Sequence, residues 1–235
     1  AMVLPGISGG TAFLILGIYD KIIKDFSRLN LYPYLPFLGG SLIGVFLGSL
    51  FFISLFDLAR DITVSFLLGT LLASLKIIFK DTPRPSMLRI LILFIGAVLG
   101  YFFSGEPLVL TKTSFDINNG LLFIGGILSS ATMLLPGISG SSVLMVMGIY
   151  DDILYFVKKL ALSKLLVFGV GSLIGFFLFA KFLEKVYGNC KEPMAFFFAG
   201  LIIGSAKILL PSSWHPATTI SLLSGIALVW WWNER

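Results

Sequence analysis

The sequence predicts an all-α polytopic membrane protein made of two inverted repeats, each a re-entrant or broken-helix hairpin followed by three transmembrane helices. Three observations predict this fold class: an apolar composition, a phrase that occurs twice, and three membrane-length runs in each copy. Of the 235 residues, 57% are hydrophobic and only 12% are charged. Soluble domains carry about twice that charged fraction, so the composition excludes an ordinary soluble protein.

The net charge of +5 is spread over short loops. In a membrane protein this distribution reports orientation and contact with anionic lipid, so we expect membrane lipids as partners and no nucleic acid. Cys190 is the one cysteine and has no intrachain partner for a disulfide. The chain starts inside an apolar phrase without an initiator Met, so we expect a natural segment to precede it.

The repeated phrase is apolar and is broken by proline and glycine. It reads LPGISGGTAFLILGIYD at residues 4–20 and LPGISGSSVLMVMGIYD at residues 135–151, an offset of 131. The same offset aligns FLLGTLLASLKI at 66–77 with FFAGLIIGSAKI at 197–208. Two long blocks in ungapped register indicate two copies of one unit.

The repeat divides the chain into three parts within a single membrane domain. The first copy covers residues 1–104, a linker covers 105–118, and the second copy covers 119–235. Runs long enough to span a membrane, which takes about 20 apolar residues, lie at about 34–56, 62–80, 87–104, 163–187, 194–210 and 216–232. Polar or proline-containing turns separate them at 57–61, 80–89 and 188–193.

Residues 119–150 form an apolar block of a different kind. As one helix it would be about 48 Å long, too long for a core of about 30 Å and too short for two crossings. Pro136 lies in its middle and removes a helical hydrogen bond. We therefore expect a hairpin of two helical arms. The first arm of about 16 residues enters the membrane, the chain turns at PGISG, and a second arm of about 11 residues leads out again. The first copy lacks the leading half-helix.

Three crossings per unit would turn the second copy upside down, an architecture that recurs in secondary transporters. The loop charges test this arrangement. Ten basic residues fall on one predicted side: Lys21, Lys24, Arg28, Lys80, Arg84, Arg89, Lys181, Lys185, Lys191 and Arg235. Five fall on the other: Arg60, Lys112, Lys158, Lys159 and Lys164. The side with ten is predicted to be cytoplasmic. If each hairpin crossed once, the repeats would be parallel and the count would not apply.

The broken phrases predict an anion site. Irregular backbone at membrane depth is tolerated where protein or a wet cavity satisfies it, and the helix that follows begins with free N–H groups and a positive dipole end. The candidate phosphate-binding residues are Ser8, Gly9, Gly10 and Thr11 in the first copy, and Ser139, Gly140, Ser141 and Ser142 in the second. The alternative is a tight turn whose serines are ordinary N-caps.

Four charged residues at equivalent positions join this list. Lys76 and Lys207 lie inside apolar helices, and intramembrane charge points to function, here pairing with an anionic headgroup. The alternative is that each lysine reaches the headgroup region from its helix end. Asp20 and Asp151 both follow GIY; they are candidate proton-coupling carboxylates, although capping of the next helix is the favoured interpretation.

Enzymatic chemistry is not expected. GISG matches the G-x-S-G motif of rhomboid-type intramembrane proteases, but such a serine needs a histidine base. His215 is the only histidine and stands between Trp214 and Pro216 at a predicted membrane boundary. No His, Cys, Asp or Glu cluster has metal-ligand spacing. We predict no catalytic residues, no metal and no cofactor.

The phrase LPGISGGTAFLILGIYDKII resembles the signature of a family of polytopic prokaryotic membrane proteins, which is V-P-G-V-S-G-G-T followed by a small apolar helix and G-I-Y-[DE]. Members are identified as PopT-type translocases of undecaprenyl phosphate, the lipid carrier of cell-wall precursors. The resemblance is strong over residues 3–23 and 134–154 and otherwise rests on hydropathy and length. The second copy has Ser141-Ser142 where the first has Gly10-Thr11, so the halves need not bind phosphate equally.

The resemblance implies a flippase in a prokaryotic cell membrane that returns undecaprenyl phosphate, or a related polyprenyl phosphate, to the cytoplasmic leaflet by alternating access. It agrees with the residue chemistry, since helix N-termini, hydroxyls and two lysines would hold the phosphate while the tail stays in lipid. The rival interpretation is a carrier or channel for a small soluble anion. A proton or sodium gradient is expected only from transporters in general.

Overall fold

The structure is a computed structural model that describes residues 9–30, 32–79, 82, 85–104 and 117–234. Residue 9 and several residues between 37 and 53 are described by their backbone only. Ser8 and most of the predicted linker at 105–118 lie outside the described residues.

The described chain is helical and contains no strand over those ranges. Its helices are α1 (Gly9–Ile15), α2 (Tyr19–Ser27), α3 (Leu35–Phe79), α4 (Met87–Phe103), α5 (Asn119–Met133), α6 (Gly140–Val146), α7 (Tyr150–Lys158), α8 (Leu162–Asn189), α9 (Lys191–Ser205) and α10 (Pro216–Asn233). Short 3₁₀ segments lie at Tyr32–Tyr34 and Ala206–Leu209.

Two of the predicted turns are reduced to single residues. The turn expected at 57–61 is a kink inside α3, where Ala59 has φ −154° and ψ 60°. The turn expected at 188–193 is Cys190 alone, with φ −133° and ψ 45°, between α8 and α9. The segment at 57–61 has neither glycine nor proline, so the chain bends and at once resumes helical hydrogen bonds. Ala59 and Cys190 are equivalent at the offset of 131.

Three described helices are long and apolar enough to cross a membrane: Ser54–Phe79, Leu162–Asn189 and Lys191–Leu209. A fourth span results if α6 and α7, which are bent by 110° to each other, are counted as one broken span. α4 and α5 are apolar but shorter, with 17 and 15 residues. These helices, with exposed apolar side chains such as those of Phe94 and Leu173, give a membrane protein.

The two copies have the same local structure. α1 and α6 begin and end at equivalent residues, as do α2 and α7. The backbone is left-handed at equivalent glycines, with φ 70° at Gly17 and 71° at Gly148. It is also left-handed at two equivalent leucines, with φ 58° at Leu29 and 50° at Leu160. Leucine avoids this region unless the surroundings impose it, so the repeat extends to the backbone.

The last helix of each copy packs against a helix of the other copy. Gly96 of α4 packs against the backbone of Phe197 in α9, and Gly225 of α10 packs against the backbone of Phe66 in α3. Phe66 and Phe197 are equivalent, and so are the two glycines at an offset of 129. The exchange is reciprocal, and the absence of a Cβ lets the backbones of each helix pair meet closely.

Polar contacts define two ends of the molecule. At the basic end, Arg89 forms an ion pair with Glu192, and Arg28 lies 3.7 Å from Glu184. At the opposite end, the carboxylate of Asp61 accepts hydrogen bonds from the backbone N–H groups of Ser212 and Ser213 at 3.1 and 3.0 Å.

The second part of α3 and its equivalent α9 contact each other at both ends. Asp61, at the start of this part of α3, binds the residues that follow α9. Phe79, the last residue of α3, packs on Phe196 near the start of α9 with ring centroids 5.1 Å apart.

Candidate functional site

The interruption predicted at Pro136 is present and forms a helical hairpin. α5 ends at Met133, Gly137 adopts φ 81°, and α6 begins at Gly140. α6 runs back along α5, since Gly140 packs on the carbonyl oxygen of Ser129. A left-handed residue is what a reversal this tight requires, and glycine adopts that conformation without a steric cost.

The turn of the second copy meets the short helix of the first copy. The backbone N–H of Gly137 donates a hydrogen bond of 3.1 Å to Oγ1 of Thr11, whose side chain is fully buried. Gly10 packs directly on the backbone of Leu134 and Pro136, where a Cβ would overlap the Leu134 carbonyl. The described part of the first repeated phrase therefore contacts the turn of the second, and the groups that meet there bind each other.

Tyr19 lies between the contact of the two repeated phrases and an adjacent cavity. Its hydroxyl donates a hydrogen bond of 3.0 Å to the carbonyl oxygen of Leu134 in the turn. Its ring packs on Tyr187 of α8 and Phe198 of α9, with centroids 6.3 and 5.5 Å away. The aromatic side chains form a wall between the turn and the basic end.

Two adjoining cavities lie at the basic end, with volumes of about 220 and 250 Å³. Both are lined by Tyr19, Asp20, Tyr187 and Lys191. The first is otherwise mainly apolar and continues along Leu14, Ile77, Ile78, Ala195 and Phe198. The second reaches Lys24 and Glu184. Together they form a cleft, called here the basic-end cavity, with an apolar side and a charged rim.

The charged side chains on the rim of the cavity differ in whether they contact a polar or oppositely charged group. Glu184 accepts from the hydroxyl of Ser27 and lies near Arg28. Lys24 and Lys191 are exposed, and no carboxylate pairs with either ammonium in the described part of the chain. The two lysines are therefore available to an anionic ligand.

The serines predicted for phosphate lie beside the turn of the second copy. The side chain of Ser139 is exposed and shares a hydrogen bond with the hydroxyl of Ser141. Ser142 is half-buried, Gly140 is packed against α5, and Gly9 opens α1. None of these residues lines the basic-end cavity.

The structure does not bring Lys76 and Lys207 together. The ammonium of Lys76 lies 3.6 Å from Glu234 and 4.5 Å from the ring centroid of Trp230. The ammonium of Lys207, in the 3₁₀ segment after α9, lies 3.5 Å from the ring centroid of Tyr101. Trp230 and Tyr101 are equivalent at the offset of 129, so each lysine contacts an aromatic ring on the last helix of the other copy.

The carboxylates predicted for coupling are both exposed. Asp20 lines both cavities, and Asp151 lies in the first turn of α7. Sequence reasoning missed Asp152, which is 1% exposed. It also missed Lys24, Tyr187 and Lys191. The sequence did contain a signal for Asp152. Its equivalent in the first copy is Lys21, so the two copies carry opposite charges at this position.

No metal site is found among the described residues, which contain no group of three or more His, Cys, Asp or Glu. His215 is the N-cap of α10, where its backbone N–H binds the hydroxyl of Thr218 at 3.0 Å. The histidine therefore begins a helix and lies next to neither repeated phrase in the sequence.

The fold and the site define an α-helical membrane protein with a broken helical segment at α6 and α7 and an amphiphilic cavity at one end. The chain belongs to the VCA0040-like family, described as undecaprenyl phosphate translocase-like, whose model matches residues 1–84 and 52–225. It is 31% identical to the polyprenyl-phosphate transporter of Vibrio cholerae over 94% of this chain and 76% of that protein. It is 30% identical to the polyprenyl-phosphate transporter of Staphylococcus aureus over 88% of this chain and 81% of that protein. No solved structure matches the chain significantly.

Proposed function

We propose that the protein transports a polyprenyl phosphate, undecaprenyl phosphate or a close relative, across a prokaryotic cell membrane toward the cytoplasmic leaflet. Family membership and the names of the two relatives support the substrate class. The observation in the fold that carries the proposal is the basic-end cavity, because it combines two unpaired lysines with an apolar wall.

The cavity suits a headgroup attached to a long apolar tail. Lys24 and Lys191 supply the positive charge that a phosphate dianion requires, and ammonium groups bind phosphate as point charges. Leu14, Ile77 and Phe198 would contact the first units of the tail. A small soluble anion would have no use for that apolar wall, so the cavity favours the lipid over the rival ligand.

The transport mechanism proposed is alternating access between two inverted halves. Two sets of contacts support the inversion: Asp61 meets the residues after α9, while Phe79 meets the start of α9. Equivalent helices that run antiparallel follow from these contacts. The pairing of α5 with α6 supports a re-entrant hairpin, since 15 residues extend only about 22 Å and fall short of a crossing.

The place where the two repeated phrases meet is proposed as a second binding site for the phosphate. In this conformation Thr11 is bound to Gly137. Separation of the halves would break this hydrogen bond and expose the start of α6, beside the hydroxyls of Ser139 and Ser141. Lys76 and Lys207 are proposed to attract the headgroup from opposite ends rather than to bind it together, because their contacts lie on different helices.

The proposal is tested by following the phosphate of a radiolabelled polyprenyl phosphate in proteoliposomes. An impermeant phosphatase outside the vesicles hydrolyses only the outer-leaflet pool. The parent protein should make the inner pool accessible within minutes, beyond the fraction found in protein-free vesicles. Uptake of inorganic phosphate without movement of the lipid would overturn the proposal in favour of a soluble-anion carrier.

Substitutions in the cavity sharpen the same assay. Lys191→Gln and Lys24→Gln should each slow lipid movement by about tenfold, since a charge-assisted hydrogen bond contributes about 1.5–3 kcal/mol. Lys181→Gln removes the same charge from an exposed position at the basic end that does not line the cavity, and it should transport at the parental rate. Equal losses in all three variants would reduce the effect to surface charge and remove the cavity from the mechanism.

A further inference from the structure

Asp152 is a buried carboxylate to which the described part of the chain offers no partner. Its side chain is 1% exposed, and neither carboxylate oxygen has a hydrogen-bond partner among the residues that the structure describes. The adjacent Asp151 is exposed to solvent. An ionised carboxylate in this position would be very costly, whereas the protonated acid is far less so. This burial calls for a bound proton.

The surroundings favour a proton over a metal ion. α7 lies in an apolar cluster in which Ile153 and Phe156 pack with Ile117, Leu122 and Leu144. Protein sites for divalent ions usually combine several carboxylate or histidine ligands, and the described residues contain no group of three or more such side chains.

Few charged or titratable groups lie nearby in the ranges that the structure describes. α6 has none, and the first half of α8 has Lys164, whose ammonium donates to the carbonyl oxygen of Ile117 and to Asn119. α7 itself carries Tyr150, Asp151, Tyr155 and Lys158. None of them forms an ion pair or a hydrogen bond with Asp152.

The position of Asp152 connects it to the broken segment. α7 follows α6 after Gly148, whose φ of 71° makes the bend of 110°. α8 is 28 residues long, about 42 Å at 1.5 Å per residue, and α7 packs near its start, remote from the basic-end cavity. The buried carboxylate therefore lies at the far end of the molecule while the cavity is open at the basic end.

We propose that Asp152 is a proton-binding site that keeps this far end closed. The acid is protonated when α7 is packed in its apolar cluster. Loss of the proton to water requires hydration of the carboxylate, which requires the first turn of α7 to leave the cluster. Because α7 is joined to α6 by one bend, its release moves the hairpin as well. The assignment of a gate to this end rests on the proposed transport cycle, but the protonation does not.

The test is the accessibility of α7 as a function of pH, without any lipid substrate. In a Cys190→Ser background, Ile153→Cys reports exposure of the buried face of α7 to a maleimide. Ile22→Cys is the matched control, because Ile22 is the equivalent residue of α2, is 3% exposed, and follows a lysine in place of the aspartate. The ratio of the two labelling rates cancels the intrinsic pH dependence of thiols.

That ratio should rise as the pH is raised above the ordinary aspartate range, by at most about tenfold per pH unit, which is the dependence expected when opening releases one proton. Asp152→Asn, which mimics the protonated acid, should keep the ratio low and constant. A rise that persists in Asp152→Asn, or a flat ratio in the parent, would overturn the proposal. Neither result depends on lipid transport. A failure of this proposal would therefore not bear on the proposed function, which the proteoliposome assay tests separately.

A second measurement guards against misfolding of the variant. A protein that buries a neutral carboxylic acid in its folded state loses stability as the pH rises toward the folded-state pKa of that acid. The Tm of the parent in detergent should therefore fall as the pH is raised above the ordinary aspartate range, and the Tm of Asp152→Asn should fall less. Equal Tm profiles for parent and variant would contradict the proposal.

Discussion

At the scale of single residues, Thr11 and Gly137 hold the two repeated phrases together. Sequence reasoning assigned the Thr11 hydroxyl to a ligand, and the structure pairs it with the backbone N–H of Gly137 in a buried contact. Both interpretations use the hydrogen-bonding capacity of the same hydroxyl. On the proposed transport cycle, the two contacts would form in different conformations of the protein.

Removal of the Thr11 hydroxyl should therefore destabilise this conformation. Thr11→Val is isosteric and leaves the buried N–H of Gly137 without that acceptor, at a cost of about 1–3 kcal/mol. We expect a lower Tm in detergent for Thr11→Val. Thr11→Ser keeps the oxygen and should stay close to the parent. A Thr11→Val protein as stable as Thr11→Ser would contradict the importance of this bond.

At the scale of helices, the exchange of α4 and α10 decides how the halves stay together. Gly96 and Gly225 both face a carbonyl oxygen of the other copy at a distance that leaves no room for a Cβ. Gly69 of α3 and Gly200 of α9 lie opposite them and meet carbonyl oxygens of α10 and α4 in turn, so glycines on both helices of each pair bring the two halves into backbone contact.

Alanine at either exchanged glycine should separate a helix pair. Gly96→Ala and Gly225→Ala would each force a backbone shift, which costs about 1–3 kcal/mol in a packed interior, and the two losses should be similar because the contacts are equivalent. Gly169 of α8 has no atom near its missing side chain, so Gly169→Ala should be neutral. Thermal unfolding of the purified variants checks this, and a loss confined to one of the pair would argue against reciprocal packing.

At the scale of the whole molecule, the two ends should lie on opposite sides of the membrane. Cys190, exposed at the junction of α8 and α9, belongs to the basic end and is predicted to be cytoplasmic. A membrane-impermeant maleimide should label it only after cells are permeabilised. In a Cys190→Ser background, Ser213→Cys should be labelled in intact cells. Labelling of both positions from the same side would refute the inverted orientation.

Much of the local structure could be predicted from the sequence, because it depends on nearby residues. Pro136 and Gly137 break the helix where expected, and the offset of 131 carries over to the backbone at Leu29 and Leu160. The turn predicted at 57–61 is present as a break of one residue, because Ala59 is non-helical while helical structure continues on both sides of it.

The rest depends on how the halves dock, which no local pattern encodes. Tyr19 is an ordinary aromatic residue in the sequence, yet it binds the turn of the other copy and lines the cavity. Lys191 was counted only as a loop charge. Asp152 was passed over because the repeat directs attention to residues that match, whereas its own significance is that it does not match Lys21.

The reciprocal exchange of the last helices bears on why the chain contains two copies. A single unit of this kind would leave the glycine face of its third helix without a partner, and only an oppositely oriented copy supplies one. On the proposed inversion, the same packing would form between two identical subunits inserted in opposite directions. In one polypeptide the two halves can differ in sequence, as Lys21 and its equivalent Asp152 do.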